Sequence, residues 1–136
     1  MTPEDVVRAA SARGLAVTVG PRAALPDPPP PPAGVDGPGW ERAVMRLARD
    51  LGWAVAHFRP ALTRAGRWYT PVSGDGAGLP DLLCVRDRRV LWVELKTGKG
   101  RLSATQRAWR DRLRAAGQEW HLFRPSDWDL LLEVLR

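Results

Sequence analysis

From residue 38 onward the apolar positions follow two rhythms, one of three and four residues and one of two. Trp40, Val44, Leu47 and Leu51 are spaced four, three and four apart and stop at Gly52, which predicts an amphipathic helix with its stripe turned to a sheet. Residues 53–58 alternate, so Trp53, Val55 and His57 share one face of a strand. Two short β-branched runs, Leu82-Leu83-Cys84-Val85 and Val90-Leu91-Trp92-Val93, enclose the polar stretch Arg86-Asp87-Arg88-Arg89 and read as a hairpin. Ser103 with Gln106 three residues on makes a capping box, opening a helix that ends near Gly117 and carries Leu102, Gln106, Trp109, Leu113 and Ala116 on one stripe. Residues 119–123 read as a further strand, and Ser126 as the cap of a last helix packed through Trp128, Leu131, Leu132 and Leu135. The predicted order is α-β-β-β-α-β-α. Residues 59–77 are the least regular part.

The first 37 residues have another character. Thr2 can cap a short helix with Pro3 at its first position and Val6, Val7 and Ala10 as its stripe before Gly14, and residues 15–19 can form a strand. From 26 to 32 every residue but Asp27 is proline, which predicts an extended, semi-rigid spacer and is also the composition that proline-binding modules take. The boundary falls near Gly37, leaving an extension at 1–37 and one domain at 38–136. No internal repeat is present.

Charge narrows the setting. A length of 136 residues suits one domain with a proper core, and a formal net charge of +6 points to an acidic partner, nucleic acid being the plainest. A chain rich in Ala, Arg, Gly and Pro also accounts for much of its arginine by composition alone. Of the 21 cationic side chains only Lys96 and Lys99 are lysine, and they sit together. The one cysteine, Cys84, lies in an apolar strand and reads as a core residue, which fits a reducing cytoplasm. No apolar run is long enough to span a bilayer and no charged-then-apolar leader is seen, so neither membrane nor secretion is indicated.

The candidate chemistry lies in Gly78-Leu79-Pro80-Asp81 and, thirteen residues after the aspartate, Glu94-Leu95-Lys96. Glu94 and Lys96 are two apart on a strand and therefore side by side on one face, while Leu95 points into packing; Asp81 enters from the neighbouring strand. Two carboxylates converging at a sheet end can hold a hard cation such as Mg²⁺, and a lysine beside them can orient or deprotonate a water, which suits phosphodiester hydrolysis. The Glu-x-Lys pair alone also fits a surface ion pair. Glu41 flanks the stripe in the first turn of its helix, placed either to lean toward the site or to complement the helix dipole. His57 is a core histidine or a DNA contact. In residues 59–77, Arg59, Arg64 and Arg67 interleave with Trp68 and Tyr69 in a pattern that suits phosphate contact and base stacking and equally a solvated loop. Asp75 reads as structural. Arg107, Arg110 and Arg114 make a charged outer helix face that favours solvation.

The ordered set of Gly78-Leu79-Pro80-Asp81, Glu94-Leu95-Lys96, and Gly100-Arg101-Leu102-Ser103 with Gln106 resembles the virus-type replication-repair nuclease (VRR-NUC) domain of the PD-(D/E)xK superfamily, over roughly residues 40–135. The resemblance implies an α/β, restriction-endonuclease-like core with a mixed central sheet flanked by helices. It implies a DNA endonuclease selective for branched or flap structures, dependent on Mg²⁺ or Mn²⁺, leaving a 3′-hydroxyl and a 5′-phosphate; a nucleic-acid-binding module that keeps the fold is the alternative. Asp81, Glu94, the backbone carbonyl of Leu95 and, through water, Glu41 would hold the metal. Lys96 would position the attacking water, and Gln106 would serve the site as well as its helix cap. Lys99 and Arg101 join Arg59, Arg64, Arg67 and His57 as DNA-binding candidates. Small members of the family are expected to pair, so a homodimer is expected, with some of Trp40, Trp68, Trp120 and Trp128 at its interface.

Overall fold

The computed structural model describes residues 29–58, 61–69 and 71–136. The helix and strand expected before residue 20, the prolines up to Pro28, and Arg59 lie outside them. Helix α1 (Gly37–Asp50) begins where the Asp36 carboxylate accepts from the Gly39 N–H at 2.8 Å and Pro38 occupies the first turn. It stops at Gly52, whose φ of 86° is left-handed. Trp40, Val44, Leu47 and Ala48 are its buried face.

Strands β1 (Ala54–His57), β4 (Leu82–Arg86), β5 (Arg89–Leu95) and β6 (Glu119–Phe123) form one sheet in the order β1-β4-β5-β6. β1, β4 and β5 are antiparallel, and β6 joins β5 in parallel after helix α2 (Ala104–Ala115). The result is a mixed α/β domain with a mixed central sheet flanked by helices. On one face Leu82, Cys84, Leu91, Val93, Leu95 and Phe123 join α1 and the last helix, α3 (Trp128–Leu135), in one core. Each large side chain buried there contributes about 1.5–3 kcal/mol. Long-range polar bonds fix the helices to that sheet: Trp40 Nε1 donates to the Phe123 carbonyl at 3.1 Å and Trp53 Nε1 to that of Leu135 at 2.9 Å. The Arg86 guanidinium lies over the Trp53 ring and donates to the carbonyls of Leu51, Leu135 and Arg136. Cys84 is a free thiol that burial pushes up to about 11, an unreactive core group.

Five details differ from the sequence reading. The irregular stretch contains a separate ribbon, β2 (Ala61–Leu62) paired with β3 (Trp68–Tyr69), so the element order is α-β-β-β-β-β-α-β-α. Strands of two residues are too short to show alternation. The β4–β5 hairpin is tighter than four residues, since Arg86 pairs with Arg89 and the turn is Asp87-Arg88 alone, with Asp87 left-handed at φ 53°. Ser126 sits inside a 3₁₀ turn (Pro125–Asp127), where the Asp127 carboxylate accepts from the Arg124 N–H, and so it does not cap α3. Ala116 is exposed because α2 has already ended at Ala115. The described end of the proline run does not stand off from the domain: Trp128 Nε1 donates to the Pro29 carbonyl at 3.3 Å, and Pro29, Pro30 and Pro32 line a groove with Leu47 and Leu51 of the α1 side. An extended strip can lie along two helices without bending.

Candidate active site

Register places the acidic residues in one row. Leu82 pairs with Val93 and Glu94 with Leu122, and the Phe58 N–H donates to the Asp81 carbonyl at 2.9 Å, so Phe58, Asp81, Glu94 and Leu122 cross the sheet side by side at one end of β4. Asp81 is held there twice. Its Oδ2 accepts from the Leu95 N–H at 2.8 Å, and buried Pro80 stiffens the chain before it.

Gly78 explains how the loop reaches that position. Its φ is 84°, and a Cβ there would lie 2.4–2.7 Å from the backbone of Thr105 and Gln106, so only glycine lets the loop abut the first turn of α2. Trp109 Nε1 donates to the Asp75 carbonyl at 2.9 Å and pins the same loop from further along the helix. Asp75 therefore serves through its backbone.

Gln106 takes both of the roles its spacing allowed. Its Oε1 accepts from the Ser103 N–H at 2.8 Å, its own N–H donates to Ser103 Oγ at 3.2 Å, and its Nε2 donates to Glu94 Oε1 at 3.0 Å. A capping box is thus tied to the acidic row. Lys96 Nζ stands 3.6 Å from the same Glu94 oxygen. Glu94 is 2% exposed, and its carboxyl is pushed up to about 8, first by burial and then by the Asp81 charge, with Lys96 pulling it down. Two carboxylates, one deeply buried, and a single ammonium make a site that favours either a proton or a cation.

Glu41 and His57 form a second pair. His57 Nε2 is 3.5 Å from Glu41 Oε2, the imidazole side chain is 9% exposed, and neither ring nitrogen makes a hydrogen bond. Alternation puts His57 on the face of Val55, Leu82 and Val93, the face opposite Glu94. Among the described residues no three His, Cys, Asp or Glu side chains are grouped so as to hold a metal ion; Asp81 and Glu94 are a pair of neighbouring carboxylates. Of the other basic candidates, Arg64 and Arg67 are exposed around the β2–β3 turn, and Lys99 and Arg101 are exposed between β5 and α2. On α2, Arg107 donates to the Leu102 carbonyl, Arg110 to Asp111, and Arg114 lies over Trp120, so these three have partners within the fold.

A model of the VRR-NUC domain family matches residues 57–124, half of the 136 residues. The chain belongs to the VRR-NUC family. The matched segment holds Asp81, Glu94, Lys96 and Gln106, while Glu41 precedes it. VRR-NUC membership implies nuclease-type chemistry with DNA as substrate, and the family generally uses divalent metals. No curated protein and no solved structure matches this VRR-NUC chain. No helix among the described residues is long and apolar enough to cross a membrane. What the sequence did not reveal is the Gly78 and Trp109 packing that sets the loop. A tryptophan on an otherwise half-polar helix stripe was the available signal, but its acceptor is a carbonyl 34 residues away.

Proposed function

We propose that this VRR-NUC domain is a Mg²⁺- or Mn²⁺-dependent DNA endonuclease that cuts branched or flap structures in replication, repair or recombination, working in the cytoplasm as a homodimer. The observation that carries this reading is the burial of Glu94 beside Asp81 with one ammonium in reach. A hard divalent cation fits that donor set, because it offsets the repulsion of two adjacent carboxylates through oxygen ligands and tolerates waters in its remaining positions. Asp81, Glu94 and the Leu95 carbonyl would hold it, while Glu41 is engaged with His57 on the opposite face. When bound, the cation supplies Lewis acidity at the scissile phosphate.

The chain's own residues do the rest. Gln106 Nε2 holds the Glu94 carboxylate in one rotamer through its 3.0 Å bond, and the Asp81 carboxylate is fixed by the Leu95 N–H. Lys96 donates from its ammonium to the attacking water and fixes its position; as that water adds to phosphorus it gives up a proton to solvent, and the bond from phosphorus to the 3′-oxygen breaks with that oxygen taking a proton from solvent. The products are a 3′-hydroxyl and a 5′-phosphate. Exposed Arg64, Arg67, Lys99 and Arg101 supply phosphate contacts around the site.

The test is incubation of purified protein with Mn²⁺ and a panel of flap, splayed and four-way DNA. Cleavage by the wild type and its loss in Asp81→Ala and in Glu94→Ala are expected. Full activity in either variant refutes the assignment, and binding without cutting by the wild type indicates a non-catalytic module.

A further inference from the structure

The β2–β3 ribbon places apolar surface where a monomeric core has no use for it. Of the exposed large hydrophobic residues, Leu62 (56%), Trp68 (71%) and Tyr69 (48%) lie in this ribbon, and elsewhere in the described residues only Val72, Val85 and Leu130 are comparable. Leu62 and Trp68 are register partners and share one face of the ribbon, while Tyr69, paired with Ala61, occupies the other. The turn between them is closed by the Thr63 N–H to the Arg67 carbonyl at 2.8 Å and by the Arg67 N–H to Thr63 Oγ1 at 2.9 Å, so the arm has a defined shape and carries Arg64 and Arg67 at its end. Its root is at the catalytic row. Ala61 follows by three residues Phe58, whose N–H is bonded to Asp81, and three residues reach about 10 Å at most.

We infer that this arm is a stacking platform for unpaired nucleobases next to the bond that is cut, with Trp68 as its principal residue and Leu62 beside it on the same face. The inference rests on the nuclease reading and adds what that reading leaves open, the feature of a branched substrate that is recognised. Bases in a duplex already stack on each other and present only their edges, whereas an unpaired strand offers free π-faces to an aromatic ring, with neighbouring arginines on its phosphates. A second copy of this chain is a poorer occupant. A ribbon of two residues per strand falls far short of the roughly 800 Å² per partner of a stable interface, and a two-fold contact would set Arg64 and Arg67 against their own copies.

The test measures affinity in Ca²⁺ for a flap DNA, the same flap with abasic sites in its unpaired arm, and a blunt duplex, using wild type, Trp68→Ala and Trp68→Phe. One stacked base corresponds to about a 5- to 150-fold change in affinity. Trp68→Ala should lose that factor on the flap and nothing on the duplex; the wild type should lose the same factor on the abasic flap; and Trp68→Ala should be indifferent to base removal. Trp68→Phe should recover most of the affinity. Equal losses on flap and duplex, unchanged affinity in Trp68→Ala, or a halved mass by light scattering with DNA binding intact would each overturn the platform, the last by making it a self-association surface. Cleavage by the wild type with Mn²⁺, followed in the same preparation, separates the two readings: a protein that cuts while Trp68→Ala binds normally loses the platform alone, and one that neither cuts nor binds loses both.

Discussion

Glu94→Gln should remove a pH dependence of stability that the metal-free protein carries. The Glu94 carboxyl is held at about 8 in the folded chain against an ordinary value of 4.5, so between those values the folded state binds a proton that the unfolded state has released. The stabilising contribution is therefore complete below about pH 4.5 and is lost as pH rises toward 8. The slope is about 1.4 kcal/mol per pH unit, and the whole window amounts to about 5 kcal/mol at most, a large share of a typical domain's stability. Urea unfolding in EDTA at pH 5, 6, 7 and 8 should show the wild-type midpoint falling steadily, while Glu94→Gln, which keeps the shape and the Gln106 contact without a titrating group, should be nearly flat and the more stable of the two at pH 8. Mg²⁺ or Mn²⁺ should restore the wild type at pH 8, and calorimetry at pH 7 in buffers of different ionisation enthalpy should detect about one proton released on binding. A wild-type midpoint independent of pH, or a variant with the same slope, would refute the burial argument.

Three further outcomes are expected. Lys96→Arg should lower the cleavage rate about 100-fold or more while DNA affinity in Ca²⁺ is kept, since a guanidinium preserves the charge but not the compact geometry or the ability to lose a proton; an unimpaired rate would remove Lys96 from the chemistry. Gly78→Ala should destabilise by about 2–4 kcal/mol and slow cleavage, because it forces a left-handed alanine against the α2 backbone and displaces the loop that carries Asp81; urea midpoints and rates measured together check this. Arg64→Ala with Arg67→Ala should weaken DNA binding and flatten its salt dependence more than Arg110→Ala with Arg114→Ala, whose side chains already have partners, and equal slopes would move the contact surface elsewhere.

Sequence by itself determined most of the regular elements and named the candidate residues for chemistry. The α1 and α2 stripes, the β4 and β5 runs, the Ser103–Gln106 box and the pairing of Glu94 with Lys96 are local consequences of a period of 3.6 or 2 and of capping chemistry, and each is specified within a few residues. Only the tertiary structure decided which of the candidates meet. Asp81 reaches Leu95 and Gln106 reaches Glu94 because β4 and β5 pair in one register and Gly78 lets α2 close on the loop, and neither fact lies in a short window of sequence. Glu41, expected in the first turn of its helix, lies past it because α1 already begins at Gly37, and it sits against His57 on the other face. The tryptophans divide in the same way: Trp40, Trp120 and Trp128 are buried in this chain's own fold and Trp68 is not, a distinction that no hydropathy scale can draw, since burial depends on what packs opposite and not on the residue alone.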